Sequence, residues 1–184
     1  MRPSIQKLLS ELETFGKTNF TFNIPAATGK FMYNLVLISK AKNILEVGMS
    51  NGYSTIWLAE AVKKNKGKVI TIEKSDYKVK MAKENFQRAN LKNIKIIHGD
   101  ALKEIPKLKE KYDFMFIDAI KRDYIKYLSL AEKNLKKGSI ITADNAIKFK
   151  EKMKHYLNYL QNNKNYSSVL VPIGTGLEFS VKIK

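Results

Sequence analysis

Cysteine is absent from the 184 residues, which excludes a disulfide framework, a thiolate nucleophile and any zinc–thiolate site. Arginine is scarce as well: Arg2, Arg88 and Arg122 are the only three among 34 cationic side chains. Arginine supplies the planar fork that grips phosphates and base edges with paired hydrogen bonds. The formal charge of +17 therefore rests on lysines, which act as point charges. Such a charge suggests an acidic partner such as RNA, but bulk lysine enrichment is also a trait of hyperthermophile chains. No apolar run approaches the ~20 residues needed to cross a bilayer, so no membrane contact is expected. The opening Met1-Arg2-Pro3-Ser4-Ile5-Gln6-Lys7 lacks the apolar core of a secretory signal, and a cytoplasmic protein is expected. Internal repeats and linkers are missing too. The expectation is one domain over residues 1–184, with N-terminal helices in 1–40 and a sheet core in 41–184.

What is present fits a packed core. Hydrophobic residues make up 44% of the chain, and a domain of this length buries roughly 70% of the surface its unfolded chain exposes. Ile5, Leu8, Leu9, Leu12 and Phe15 fall at helical spacing and predict a helix over 4–15 with Ser4 as its N-cap. A polar–aromatic connector over 18–25 leads to a second helix over 26–40. From Asn43 onward strand and helix alternate. Strands are predicted at 43–48, 68–73, 94–98, 112–118 and 138–144, and helices at 53–65, 75–90, 101–110, 121–135 and 148–163. The strands read as nearly unbroken apolar runs, the mark of a parallel sheet covered on both faces. Strands at 167–171 and 177–183, joined by the Gly-containing segment 172–176, predict a closing antiparallel hairpin.

The chain is organised around Ile44-Leu45-Glu46-Val47-Gly48-Met49-Ser50-Asn51-Gly52-Tyr53-Ser54. An apolar strand ends in a carboxylate, a glycine-punctuated turn follows, and a helix begins whose free amides face whatever sits over the turn. A dinucleotide fingerprint needs three glycines, and Ser50 occupies the second position. A pyrophosphate ligand is therefore disfavoured. Glu73 ends the next strand, where a carboxylate accepts both hydroxyls of a ribose. The remaining strand ends present Gly99-Asp100-Ala101, Asp118 and Asp144-Asn145. Asp118, Asp144 and Asn145 are three oxygen donors from two adjacent strands, a set that suits a hard cation, Mg²⁺ first and Mn²⁺ or Ca²⁺ next. Read alone, strand-end carboxylates equally cap the helix that follows.

The G-x-x-x-G spacing after I-L-E-V resembles motif I of the class I S-adenosylmethionine-dependent methyltransferases. Phe116-Ile117-Asp118-Ala119-Ile120-Lys121-Arg122-Asp123-Tyr124, Ala143-Asp144-Asn145-Ala146 and Pro172-Ile173-Gly174-Thr175-Gly176-Leu177 resemble further motifs of one branch, the metal-dependent catechol and caffeoyl-CoA O-methyltransferase-like family. The resemblance covers roughly residues 25–184. It implies a Rossmann-like methyltransferase fold: an α/β protein with a mainly parallel seven-stranded sheet, an antiparallel C-terminal hairpin and helices on both faces. It implies S-adenosyl-L-methionine held by Glu46, Gly48, Ser50, Gly52, Tyr53, Ser54, Glu73, Gly99, Asp100, Ala101 and Asp118. By the same resemblance Asp118, Asp144 and Asn145 hold the cation, and Lys121 is the general base. The family's acidic residue is replaced by Ile120, and the Asp of its last motif by Thr175. The segments that wall the acceptor pocket and form dimer contacts look shorter than in the family. An open pocket is expected, and a homodimer is compatible with it.

Two acceptors suit this chemistry. The first is a catechol-like small molecule, whose hydroxyl of pKa ~10 is about one-thousandth ionised at pH 7 and gains from a nearby cation. The second is the tRNA wobble base 5-hydroxyuridine, whose 5-oxygen lies beside O4 and chelates in the same way. Some bacterial relatives look like methyltransferases of that kind. A protein that binds the cofactor without catalysis is the third reading, disfavoured by the intact Asp118, Lys121, Asp144 and Asn145.

Overall fold

The computed structural model describes residues 1–19 and 21–184. Two helices, α1 (Pro3–Asn19) and α2 (Ala26–Ile38), precede β1 (Asn43–Val47). Then follow α3 (Tyr53–Lys64), β2 (Lys68–Glu73), α4 (Asp76–Arg88), β3 (Ile94–His98), α5 (Ala101–Glu104), β4 (Tyr112–Ile117), α6 (Tyr124–Ala131) and β5 (Leu135–Asp144). The chain closes with α7 (Lys154–Asn162), β6 (Tyr166–Val171) and β7 (Leu177–Lys182). The strands form one seven-stranded sheet in the order β3-β2-β1-β4-β5-β7-β6. Strands β1 to β5 pair in parallel, whereas β7 runs antiparallel to both β5 and β6. This is the expected mainly parallel sheet with a reversed C-terminal hairpin.

Both faces of the sheet are covered, which is why β4 is apolar at every position but Asp113 and β1 buries Ile44, Leu45 and Val47. On one face Ile44, Phe114 and Phe116 pack with Leu8, Met32, Ile56 and Phe86 from α1 to α4. On the other, Leu45, Met115 and Ile117 pack with Tyr124, Leu128, Tyr156 and Leu160 from α6 and α7. The N-terminal helices thus share the core of the sheet. Arg2 fastens them further: its guanidinium donates to the buried Glu60 carboxylate on α3 at 2.8 Å and to the Ala89 carbonyl at 3.1 Å.

Several boundaries differ from the sequence reading. Helix α1 begins at Pro3, so Ser4 is inside it and is not its N-cap. Proline lacks the amide that a first helical residue leaves unbonded, and the Arg2 carbonyl instead accepts from Ile5 and Gln6 at 3.1 and 3.2 Å. The predicted helix over 101–110 stops at Glu104 and gives a 3-10 turn, Ile105–Lys107, because Pro106 cannot donate an amide. The predicted helices over 121–135 and 148–163 both open with 3-10 turns, Lys121–Asp123 and Lys150–Met153. Strand β5 starts at Leu135, which pairs with Tyr112 ahead of a register shift. The connector over 18–25 includes Phe20, which lies outside the described residues.

Strand order reverses between β1 and β4. The connections that leave their carboxyl ends lead to helices on opposite faces, α3 on one and α6 on the other, and a crevice opens above them, the usual ligand position in an open α/β sheet.

Candidate active site

The turn between β1 and α3 is left-handed at three residues: Gly48 (φ 94), Ser50 (φ 49) and Gly52 (φ 87). The glycines are required by crowding as well as by φ. A side chain at Gly48 would collide with the Asp118 carbonyl oxygen, and one at Gly52 would fall 2.5 Å from the Phe86 ring. Ser50 carries a side chain in this conformation because two bonds hold it. Its hydroxyl donates to the Thr21 carbonyl at 2.9 Å, and its amide donates to Glu73 Oε2 at 3.0 Å. Asn51 is fully buried and accepts the Tyr53 amide at 3.2 Å.

Glu73 ties the turn to the next helix. Besides the Ser50 amide, it accepts the amides of Lys74 and Ser75, each at 3.0 Å and through Oε1. Asp100 caps α5 by accepting the Leu102 amide at 2.9 Å, and it also faces the crevice with Gly99 and Ala101. Glu46 behaves differently. It is fully buried and accepts the hydroxyls of Ser54, Thr55 and Thr71, so it lies beneath the turn and not in the crevice. Burial pushes its carboxyl up to about 7, against the opposing pull of the three hydroxyls. Gly52 likewise abuts Phe86 and leaves the crevice to Ser50, Tyr53 and Ser54.

The carboxyl ends of β4 and β5 bring Asp118, Lys121, Asp144 and Asn145 to the other end of the same crevice. Lys121 Nζ donates to Asp118 Oδ1 at 2.7 Å and to the Ala119 carbonyl at 3.2 Å, and lies 5.3 Å from the centre of the Tyr124 ring. Asp144 is 2% exposed. Burial, and next the charge of Asp118, push its carboxyl up to about 6. Thr175 bridges this pair: Asn145 Nδ2 donates to Thr175 Oγ1 at 2.9 Å, and Thr175 Oγ1 donates to Asp144 Oδ1 at 2.8 Å. Asn145 adopts a left-handed conformation (φ 71), which asparagine tolerates better than other side chains. With its amide nitrogen engaged, its Oδ1 remains the acceptor.

These residues fit a hard divalent cation. Two carboxylates, with the charge of Asp118 raising the proton affinity of Asp144, and an amide oxygen beside them make an all-oxygen donor set. Among the described residues no three His, Cys, Asp or Glu side chains gather at one point, so a third protein donor would be the asparagine.

The crevice has a volume of about 530 Å³. It also takes in residues that the sequence reading did not single out: Thr21, Phe22 and Pro25 from the connector, Lys78 of α4, Tyr127 of α6, and Phe149. Thr21 is the pin of the connector, since its Oγ1 accepts the Asn51 amide group at 3.3 Å while its carbonyl holds Ser50. Only its place just before an apolar helix hinted at this.

A seven-stranded sheet with a reversed C-terminal hairpin and a crevice at its switch point, Glu73 at one end and Asp118, Lys121 and Asp144 at the other, has the architecture of a Rossmann-like methyltransferase. The chain belongs to the O-methyltransferase family, whose model matches residues 3–179. It is 41% identical over 125 residues to the catechol O-methyltransferase of Niastella koreensis, a match covering 65% of this chain and 56% of that protein. A catechol O-methyltransferase of Mycobacterium tuberculosis is 34% identical over 127 residues, covering 68% of this chain and 57% of its own length. The match thus spans little more than half of each relative. Among solved structures, an O-methyltransferase from Bacillus cereus in complex with SAH superposes with a TM-score of 0.80 at 27% identity, covering 99% of this chain and 91% of that one.

Proposed function

We propose that this protein is an S-adenosylmethionine-dependent, divalent-metal-dependent O-methyltransferase acting on a hydroxyl with a vicinal oxygen, such as a catechol. The observation that carries this reading is the shared crevice. One space of about 530 Å³ joins the Gly48–Ser54 turn and Glu73 to Lys121, Asp118, Asp144 and Asn145. The cofactor supplies an electrophilic methyl group. Glu73 would accept its ribose hydroxyls, and Ser50 and Tyr53 would border its amino-acid part, with Lys121 at the other end of the same crevice. Asp118, Asp144 and Asn145 would hold Mg²⁺, with Mn²⁺ or Ca²⁺ as substitutes. Such a cation would supply Lewis-acid stabilisation of the ionised acceptor hydroxyl.

Lys121 stands 2.7 Å from Asp118 and faces the position of the acceptor oxygen. Its role is to take the acceptor proton and then to steady the oxyanion as an ammonium. Holding both reactants in line is the larger contribution, because it converts a bimolecular displacement into a unimolecular one.

A second reading keeps the site and changes the acceptor to tRNA 5-hydroxyuridine. The lysine excess favours it, and exposed Lys74 and Lys148 border the crevice. Exposed Lys63 and Lys64 precede β2, and exposed Lys136 and Lys137 lie at the start of β5, all at the opposite edge. Charge therefore does not single out the crevice, and the small-molecule reading stands first. Labelled methyl transfer to catechol and to total tRNA, each with Mg²⁺ or a chelator, decides between them. Labelling of tRNA alone would reverse the order, and labelling of neither would remove the reading.

A further inference from the structure

Phe149 lines the crevice next to Asn145, and two ammonium groups stand over its ring. Lys148 Nζ lies 5.6 Å and Lys152 Nζ 5.3 Å from the ring centroid. The backbone fixes this unit to the acidic end of the site. The Phe149 amide donates to the Asn145 carbonyl at 2.8 Å, the Lys148 amide to the Thr175 carbonyl at 3.0 Å, and the Met153 amide to the Phe149 carbonyl at 3.1 Å. Both lysines are exposed. No ion pair among the described residues involves either of them. The contrast with the preceding strand end is direct, since Lys121 and Lys126 there are paired with Asp118 and Asp123 at 2.7 and 2.8 Å.

Two like charges gathered around one aromatic ring repel one another and have no fixed counter-charge. The ring offers an apolar face to a planar ligand, while the ammoniums attract an anion at its edge. We propose that Lys148, Phe149 and Lys152 form an acceptor subsite that selects planar acceptors bearing an anionic group, a carboxylate or a phosphate, over neutral acceptors with the same ring. The subsite deepens the O-methyltransferase reading and rests on it for the direction in which an acceptor enters.

The test uses two matched pairs. The carboxylate pair is 3,4-dihydroxybenzoate and its neutral methyl ester, and the phosphate pair is 5-hydroxyuridine 5′-monophosphate and 5-hydroxyuridine. Binding is measured by equilibrium dialysis, and initial rates are measured separately. The native protein should bind the anionic member of at least one pair about 3- to 20-fold more tightly, the combined effect of two exposed charges. The responding pair tells carboxylate from phosphate. That ratio should fall toward one in the Lys148→Ala/Lys152→Ala double variant and at about 0.5 M NaCl, where screening is strong. A Lys63→Ala/Lys64→Ala variant removes the same charge from the far edge and should keep the preference. Three results would overturn the subsite: no anionic preference in the native protein, a ratio unchanged by Lys148→Ala/Lys152→Ala, or an equal loss in Lys63→Ala/Lys64→Ala. If none of the four compounds is methylated but the binding preference still depends on Lys148 and Lys152, the subsite stands and the methyl-transfer reading fails.

Discussion

The carbonyl oxygen of Asp118 occupies the place where a side chain on Gly48 would have to go. The Asp118 amide also donates to the Val47 carbonyl at 2.9 Å. The turn that follows β1 and the acidic end of β4 are therefore one mechanical unit, and neither can move without the other. Gly48→Ala should cost about 2–4 kcal/mol, from the left-handed backbone and the collision together. Urea unfolding measures it. A loss below about 0.5 kcal/mol would mean that the two ends are not locked.

Glu73 supports the turn and faces the crevice at once. Glu73→Ala should weaken S-adenosylmethionine binding by about 1.5–3 kcal/mol, the range for hydrogen bonds to a charged group. Part of that loss comes through Ser50, whose amide would lose its 3.0 Å acceptor. Calorimetry on the variant decides, and an unchanged affinity rejects the ribose role.

Strands β2 and β3 were legible to the residue because each apolar run is bracketed by polar or turn residues. Glu46 shows where such reading stops. A carboxylate near a strand end can face the turn or the interior, and only the register decides. Glu46 pairs with Thr71 across β1 and β2, and Ser54 and Thr55 arrive from the first turn of α3, so three hydroxyls meet it inside the protein. Thr21 and Phe22 were illegible for another reason. They follow no period, and Thr21 is placed by bonds to Ser50 and Asn51, partners about thirty residues away. The breaks in the predicted helices after β4 and β5 are of the same kind. Hydrophobic spacing continues through a 3-10 turn, and the tightening reflects how the chain leaves the strand.

Two buried carboxyls make stability depend on pH. Burial raises both Glu46 and Glu178 to about 7. Glu178 is 1% exposed, and neither of its oxygens has a hydrogen-bond partner. A carboxyl with a raised folded-state pKa keeps its proton after the unfolded chain has lost its own. Its contribution is therefore most favourable below pH 4.5, declines as pH rises from 4.5 to about 7, and is level above that. For Glu46 the decline is about 3 kcal/mol, at 1.4 kcal/mol per pH unit. Glu46→Gln and Glu178→Gln should each flatten the native protein's stability–pH curve across this window. Denaturant midpoints at pH 5 and pH 8 that shift equally in native and variant proteins would contradict the placement of these protons.

Asp144 and Lys121 separate the metal from the base. In the metal-free protein Asp144 titrates near 6, so Mg²⁺ affinity should fall as pH drops through 6 and protons compete for the same oxygens. Asp144→Ala should abolish Mg²⁺-dependent turnover while moving cofactor affinity by less than about 0.5 kcal/mol, as expected for independent sites. Lys121→Ala should retain metal binding and lose turnover, with the deficit shrinking as pH rises, because an acceptor of pKa ~10 gains about tenfold in ionised form per pH unit. The two variants therefore diverge with pH: added hydroxide compensates for a missing base but not for a missing ligand. If Lys121→Ala loses the same factor at pH 7 and pH 9, the lysine positions the acceptor and does not take its proton. If chelated native protein turns over at full speed, Asp118, Asp144 and Asn145 shape the end of the sheet and hold no cation.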